Sequence, residues 1–311
     1  MTDTRASGWK TDAMLLFVTL VWGCNFPVIK AVLAVMPAHA MNAVRLLISA
    51  LVLGGYYAVQ GRRQGTPLLA PLRQAPGVLL ALGLLGYFLY QVAFIVGLDH
   101  TAAGSAAIIM ASVPLWSALV GHTFGFERLR RLGWAGLLVT LVGTTLIVVF
   151  GPRTVDFGGG VLFGNVVMVG AAVCWGCYTA LNRPVLRRVS PLALSLFGLL
   201  FSLPLLFLVA LPSFDEIAWG RVNGWTWAAL LYSGGLSTGL APVLWSASVH
   251  RVGAAHTTAF GNLVPFIALF AGFFFLDEPI NLAQLLGGGL IIAGIMLVRR
   301  VRGTARPPAR V

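Results

Sequence analysis

The sequence predicts an all-α, polytopic membrane protein of ten transmembrane helices, arranged as two inverted five-helix repeats. Three observations predict it. The first is composition: of 311 residues, 58% are hydrophobic and only 10% charged, against about 25% charged in soluble domains. The second is an echo at a fixed period. Val113-Pro114, Glu127, Gly136 and Gly143 return as Val264-Pro265, Glu278, Gly287 and Gly294, each 151 residues on. Ala103/Ala254, Gly121/Gly272 and Phe124/Phe275 keep the same offset. Prolines, glycines and a turn carboxylate matching at one period mark an internal duplication, where Leu-on-Leu matches would mean little. The third is the sidedness of the basic residues, set out below.

Taken in order, the apolar runs are residues 12–34, 40–60, 76–98, 102–124, 131–151, 160–182, 190–211, 226–249, 253–276 and 281–299. Each is near the ~20 residues that cross hydrocarbon. The first is too long for a signal-peptide core and reads as a retained helix. The fourth and ninth carry the central prolines, Pro114 and Pro265, and the fifth and tenth the paired glycines. The sixth restates the first: Trp22-Gly23-Cys24 returns as Trp175-Gly176-Cys177, and Lys30 as Arg183, at an offset of 153. The first repeat is thus 12–151, the second 160–299, and 300–311 is a basic tail. Connections are short, so no soluble domain is expected.

Seventeen of the 21 Lys and Arg residues fall at the N-terminus, in the loops after even-numbered runs, or in the tail. Lys30, Arg153 and Arg221 fall on the other side, and Arg45 lies inside the second run. This asymmetry places both termini, and the 300–311 tail, in the cytoplasm. Five spans per repeat make the second repeat cross in the opposite sense. Glu127 accordingly sits in a turn with three arginines, and Glu278 beside Asp277 with no base. Inverted repeats of this kind are how many secondary transporters build alternating gates around a midplane site. The net charge of +12 raises nucleic acid as a partner. The basic residues, however, form short clusters between apolar runs, which set topology and meet lipid headgroups. Membrane lipids and a small solute are the expected partners, nucleic acid is not, and a monomer is expected to suffice.

Trp22-Gly-Cys-Asn-Phe-Pro-Val-Ile-Lys30 resembles the W-G-x-N-F-x-x-x-K opening of EamA-type transporters in the drug/metabolite transporter superfamily. Arg45 resembles that family's basic residue early in the second span, and the two Pro…Glu…Gly…Gly series resemble its repeated pattern. Tyr178 stands where the repeat calls for the Asn25 equivalent, so the halves differ at the site. The resemblance implies a ten-helix, basket-shaped carrier of small organic solutes in a bacterial-type inner membrane. Its members include exporters of amino acids, among them aromatic amino-acid exporters of the YddG type.

Polar groups in hydrocarbon are costly and face the bundle interior, so they mark the candidate site. Trp22 and Asn25 share a face at i, i+3. Tyr87, Tyr90 and Gln91 share one at i, i+3, i+4, and Trp175, Tyr178 and Asn182 at i, i+3, i+7. Trp116 with Ser112, Tyr232 and Trp245 in the eighth run, and Asn262 in the ninth complete the candidate substrate-binding set. Aromatic rings with a few amides and hydroxyls suit an amphipathic or planar solute, and also a cation on a π-face. The same aromatics have a plainer reading as packing residues or interfacial anchors, and the asparagines as interhelical glue. Pro27, Pro114 and Pro265 are candidate helix kinks that free backbone groups at the midplane. Lys30, Arg45 and Arg183 are gates or anchors, with Arg45 able to snorkel to the interface.

The favoured function is therefore a secondary exporter or facilitator of amino acids, aromatic ones included, working by alternating access. A multidrug or lipophilic-cation exporter is the alternative. A membrane-embedded enzyme is the weaker one, because no catalytic cluster is visible. Cys174-x-x-Cys177 reads as the repeat echo of Cys24 rather than a redox or metal pair. No cofactor, metal or nucleotide-binding loop is indicated. All nine carboxylates fall at span ends or in loops, which favours facilitated diffusion or exchange over obligate proton antiport.

Overall fold

The computed structural model describes residues 4–65, 67–125, 131–150, 160–182, 184–252, 260–261 and 263–302. Among them the chain is helical, without strands. Glu127, Arg183 and Asn262 lie outside the described residues.

Helix α1 (Thr4–Leu33) runs through Pro27 without a break. α2 (Ala38–Gln64) ends at Gly65, whose φ of 63° sends its N–H back to the Gly61 carbonyl. A short α3 (Ala70–Gln74) leads into α4 (Pro76–Gly83), a π-helical stretch (Leu84–Leu89) and α5 (Tyr90–His100), one continuous span. α6 (Ala103–Met110) and α7 (Val113–Thr123) are halves of one span. They part just before Pro114, which has no N–H to continue the ladder. α8 (Arg131–Phe150), α9 (Gly160–Leu181) and α10 (Pro191–Ala210) follow. α11 (Gly224–Leu231), a second π-helical stretch (Tyr232–Leu240) and α12 (Ala241–Val252) form another broken span. α13 (Val264–Leu276), with Pro265 in its first turn, and α14 (Leu282–Arg302) close the chain.

Six helical stretches among the described residues are long and apolar enough to cross a membrane: 10–33, 38–64, 76–100, 103–123, 160–181 and 191–213. Residues 131–147, 264–276 and 282–294 form shorter apolar helices. Large apolar side chains also cover the outside; Leu51, Phe274 and Phe275 are each about two-thirds or more exposed. Such a surface suits lipid as the solvent, and helices suit lipid because each satisfies its own backbone polar groups.

Helix contacts exchange between the two halves. α1 packs on α13 as α9 packs on α7, and α5 packs on α9 as α12 packs on α1. The first π stretch packs on α10 as the second packs on α2, while α2 also crosses α10 and α8 crosses α14. Glycines carry these crossings. A Cβ on Gly143 would lie 2.6 Å from the Gly287 carbonyl, and one on Gly294 would lie 2.5 Å from the Gly136 carbonyl. α8 and α14 are therefore antiparallel, and the two contacts swap into each other under the 151-residue offset. Likewise Gly23 abuts Ile267 and Gly176 abuts Trp116, Ile267's counterpart. Close backbone approach of this sort is what small residues permit between membrane helices.

Glu278 closes a different gap. Asp277 adopts φ 52°, the left-handed conformation, and ends α13. The next residue's carboxylate accepts the N–H groups of Ala103 (2.9 Å) and Gly104 (3.3 Å), at the start of α6. A negative charge there satisfies two orphan donors and meets the positive end of the helix dipole.

Candidate functional site

A cavity of about 400 Å³ opens at one end of the bundle. Its mouth is formed by Tyr56, Gln60 and Gln64 at the end of α2, Pro67 to Gln74, and Arg188 to Leu192 before and in α10. Its inner wall is made by Leu53, Tyr87, Ser195, Thr238 and Pro242. Tyr87 and Thr238 lie in the two π-helical stretches and are 151 residues apart, so equivalent positions of the two halves face the same space. π-helical turns are energetically poor and occur often at functional sites.

Of the candidate substrate-binding set, Tyr87 alone lines this cavity among the described residues. Tyr90, Trp175 and Tyr178 stand behind it in one aromatic chain. Tyr87 meets Tyr178 edge-on at 5.9 Å, Tyr178 stacks on Trp175 at 5.0 Å, and Trp175 lies 4.8 Å from Tyr90. Tyr90 continues through Phe94 to Phe26. A second aromatic group ties α1 to the eighth span. Trp22 lies 5.0 Å from Trp245, donates Nε1–H to the Ser237 carbonyl at 3.0 Å, and Tyr232 donates to the Val21 carbonyl at 2.8 Å. These rings pack and bond between helices. Trp116 packs against Gly176 of α9 and donates to Ser112 Oγ at 3.2 Å.

Arg45 does not snorkel. It is 2% exposed and tops the fully buried side chains by volume. Its guanidinium donates to Asn42 Oδ1 at 2.6 Å, Gln91 Oε1 at 2.7 Å and Ser233 Oγ at 3.5 Å, and lies 6.0 Å from the Phe94 ring. The snorkelling reading fails here because Arg45 sits on the face of α2 turned to α5 and the second π stretch, where it is buried. Lys30 does stand at a helix end, where Nζ donates to the carbonyls of Leu98 (2.9 Å), Asp99 and Thr101, the unpaired carbonyl end of α5. Three buried polar atoms have no partner among the described residues: Asn25 Oδ1, Arg45 Nε and Ser49 Oγ.

The repeat offsets relate cavity and cluster. Asn42 and Gln91, which hold Arg45, correspond to Ser195 and Pro242, which line the cavity, and Arg45 itself corresponds to Gly198. One end of the bundle is thus filled by an arginine and two amides where the other carries small residues around a void. Thr238, a polar residue of the eighth run, was legible in the sequence; Ser195, Pro242, Asn42, Ser49 and Ser233 were missed. The repeat offset was the signal for Ser195 and Pro242: each is the counterpart of a polar residue in the first half.

An apolar helical bundle with a solute-sized cavity is an architecture suited to carrying a small solute across a membrane. The chain belongs to the EamA-like transporter family, whose model matches it twice, over residues 9–149 and 162–300. It is 29% identical over 290 residues to a protein of Streptantibioticus cattleyicolor named "probable terminal-alkyne amino-acid exporter", covering 92% of each chain. It is 26% identical over 307 residues to a "probable amino-acid metabolite efflux pump" of Salmonella typhimurium, covering 96% of this chain and 98% of that one. Among solved structures, one crystal structure superposes with a TM-score of 0.65 at 19% identity, covering 96% of this chain and 99% of the other. That likeness concerns the fold alone.

Proposed function

We propose that the protein is a secondary carrier that exports amino acids, aromatic ones included, across the inner membrane by alternating access. Ten spans in two inverted halves enclose the pathway, with both termini in the cytoplasm. The observation that carries the reading is the cavity open at one end, set against the Arg45 cluster filling the equivalent place at the other. Exchanging the two arrangements between halves opens the opposite side, which is the alternating gate that inverted repeats provide. The mouth lies among Arg62, Arg63, Arg73 and Arg188, so it faces the cytoplasm by the charge rule. The antiparallel crossing of α8 and α14 and the swapped helix contacts support the inverted arrangement. The names carried by the relatives from S. cattleyicolor and S. typhimurium support amino acids as the cargo. The described carboxylates stand near the ends of apolar spans or in loops, so the carrier works by exchange or facilitated diffusion rather than obligate proton antiport.

The test is uptake of labelled amino acids and organic cations by purified protein in liposomes. Aromatic amino acids are expected to enter without an imposed pH gradient; strict dependence on one overturns the coupling. Single cysteines at positions 127 and 278 are expected to react from opposite sides of the membrane. Labelling of both from one side overturns the inverted arrangement.

A further inference from the structure

Resting on the carrier reading above, we propose that Arg45 is the receiving charge for a carboxylate borne by the substrate. The observation is an imbalance of charge in the interior. The Arg45 guanidinium is buried and bonded only to neutral oxygens, those of Asn42, Gln91 and Ser233. Its Nε–H has no partner among the described residues, nor does Ser49 Oγ, one turn along the same face of α2. None of the described carboxylates bonds it. A guanidinium keeps its charge in proteins, and a buried charge answered only by dipoles is expensive unless an anion completes it.

The place of the charge matters as much as its isolation. Gln91, which holds the guanidinium, follows one turn after Tyr87, which lines the cavity. Four residues of helix rise about 6 Å, so the charge stands just behind the inner wall. A solute in the cavity meets a positive field there and no described counter-charge. A carboxylate binds a guanidinium through two parallel, charge-assisted bonds, stronger than those to an amide oxygen. It therefore displaces Gln91 Oε1 and Asn42 Oδ1, and can also take the unused Nε–H and the Ser49 hydroxyl.

The displacement has a mechanical consequence. Arg45 bonds join α2 to the third span through Gln91 and to the eighth through Ser233. Moving the guanidinium onto the substrate unties these spans on the side opposite the mouth. A ligand shifts a conformational equilibrium only through contacts that differ between the states, and this exchange of partners is such a difference. The second half places Gly198 at the equivalent position, so each molecule has one such handle. A lipophilic cation is repelled by the same charge, so this assignment favours a carboxylate-bearing solute over the drug-exporter alternative.

The experiment compares uptake of labelled amino acids with uptake of the matching amides and decarboxylated amines in proteoliposomes. Wild type, Arg45→Lys and Arg45→Gln are used, each checked as monodisperse on size-exclusion chromatography. Wild type is expected to favour the carboxylate at least about tenfold over amide and amine. Folded Arg45→Gln is expected to lose that preference by slowing the acid alone, with Arg45→Lys between. If Arg45→Gln does not fold, the wild-type preference decides, together with thermal stabilisation of wild type by the acid but not the amide. Equal wild-type uptake of acid and amide, or undiminished acid uptake by folded Arg45→Gln, overturns the assignment while leaving the carrier reading intact. Uptake of neither acid nor amide by wild type overturns the amino-acid reading and this assignment with it.

Discussion

A single methyl group at Gly143 probes the crossing of α8 and α14. Built on the backbone, it lies 2.6 Å from the Gly287 carbonyl oxygen, 2.9 Å from Leu290 Cβ and 3.0 Å from the Ile291 nitrogen. Ordinary carbon contacts begin near about 3.5 Å. Two of these three neighbours are backbone and cannot rotate away, so the helices must part by several tenths of an ångström. Overpacking of this kind costs about 1–3 kcal/mol, while alanine in place of glycine in a helix returns about 1 kcal/mol. Gly143→Ala is therefore expected to destabilise by up to about 2 kcal/mol. Gly289, on the outer side of α14 with nothing within 4 Å of its Cβ position, is the control, and Gly289→Ala is expected to stabilise by about 0.5–1 kcal/mol. The two variants should differ by about 0.5–3 kcal/mol, which is about 1–12 °C in melting temperature at about 2–4 °C per kcal/mol. Tryptophan fluorescence during heating in detergent reads the difference. A Gly143→Ala protein that melts at or above Gly289→Ala refutes the close crossing.

Glu278→Ala removes the carboxylate from the Ala103 and Gly104 amides and is expected to cost about 0.5–2 kcal/mol, as helix caps do; calorimetry in detergent checks it. Lys30→Met leaves the Leu98, Asp99 and Thr101 carbonyls without their ammonium donor. It should lower stability by about 1–3 kcal/mol, seen as a lower melting temperature that Lys30→Arg partly restores. Ser195→Trp and Thr238→Trp place a large ring in the cavity wall. Each should reduce liposome uptake by about tenfold or more, a loss of about 1.4 kcal/mol in transport efficiency, while the melting temperature moves little. Unchanged uptake in both would show that the solute travels elsewhere.

Much of the helical layout was legible because lipid imposes a plain rule: spans must be apolar, helical and about 20 residues long. Among the described residues the chain is helical, with six stretches long and apolar enough to cross a membrane and three shorter apolar helices, as composition and hydropathy led one to expect. The repeat was legible through Pro114/Pro265 and the paired glycines, since proline and glycine are required by backbone geometry rather than by lipid. The candidate site was less legible. An aromatic side chain in a membrane helix satisfies the same composition rule whether it lines a cavity or packs against a neighbour. Trp22 and Trp175 gave one sequence signal, and each contacts a neighbouring helix, Trp22 through a hydrogen bond to Ser237 and Trp175 through the Tyr90 ring.

What the sequence by itself determined is the material and a repeated pattern: an apolar chain, a series of prolines and glycines that returns after 151 residues, and basic residues clustered between the apolar runs. Only the tertiary structure decided which copy of each equivalent position is filled and which is open. Arg45 and Gly198 occupy the same place in their repeats. One is clasped by Asn42 and Gln91, while the other lies against the Gly83 backbone and the Tyr87 ring. The physical reason is that burial is a property of packed neighbours. A long cation beside an interface and one sealed behind a cavity wall read alike along the chain, and differ only in what surrounds them.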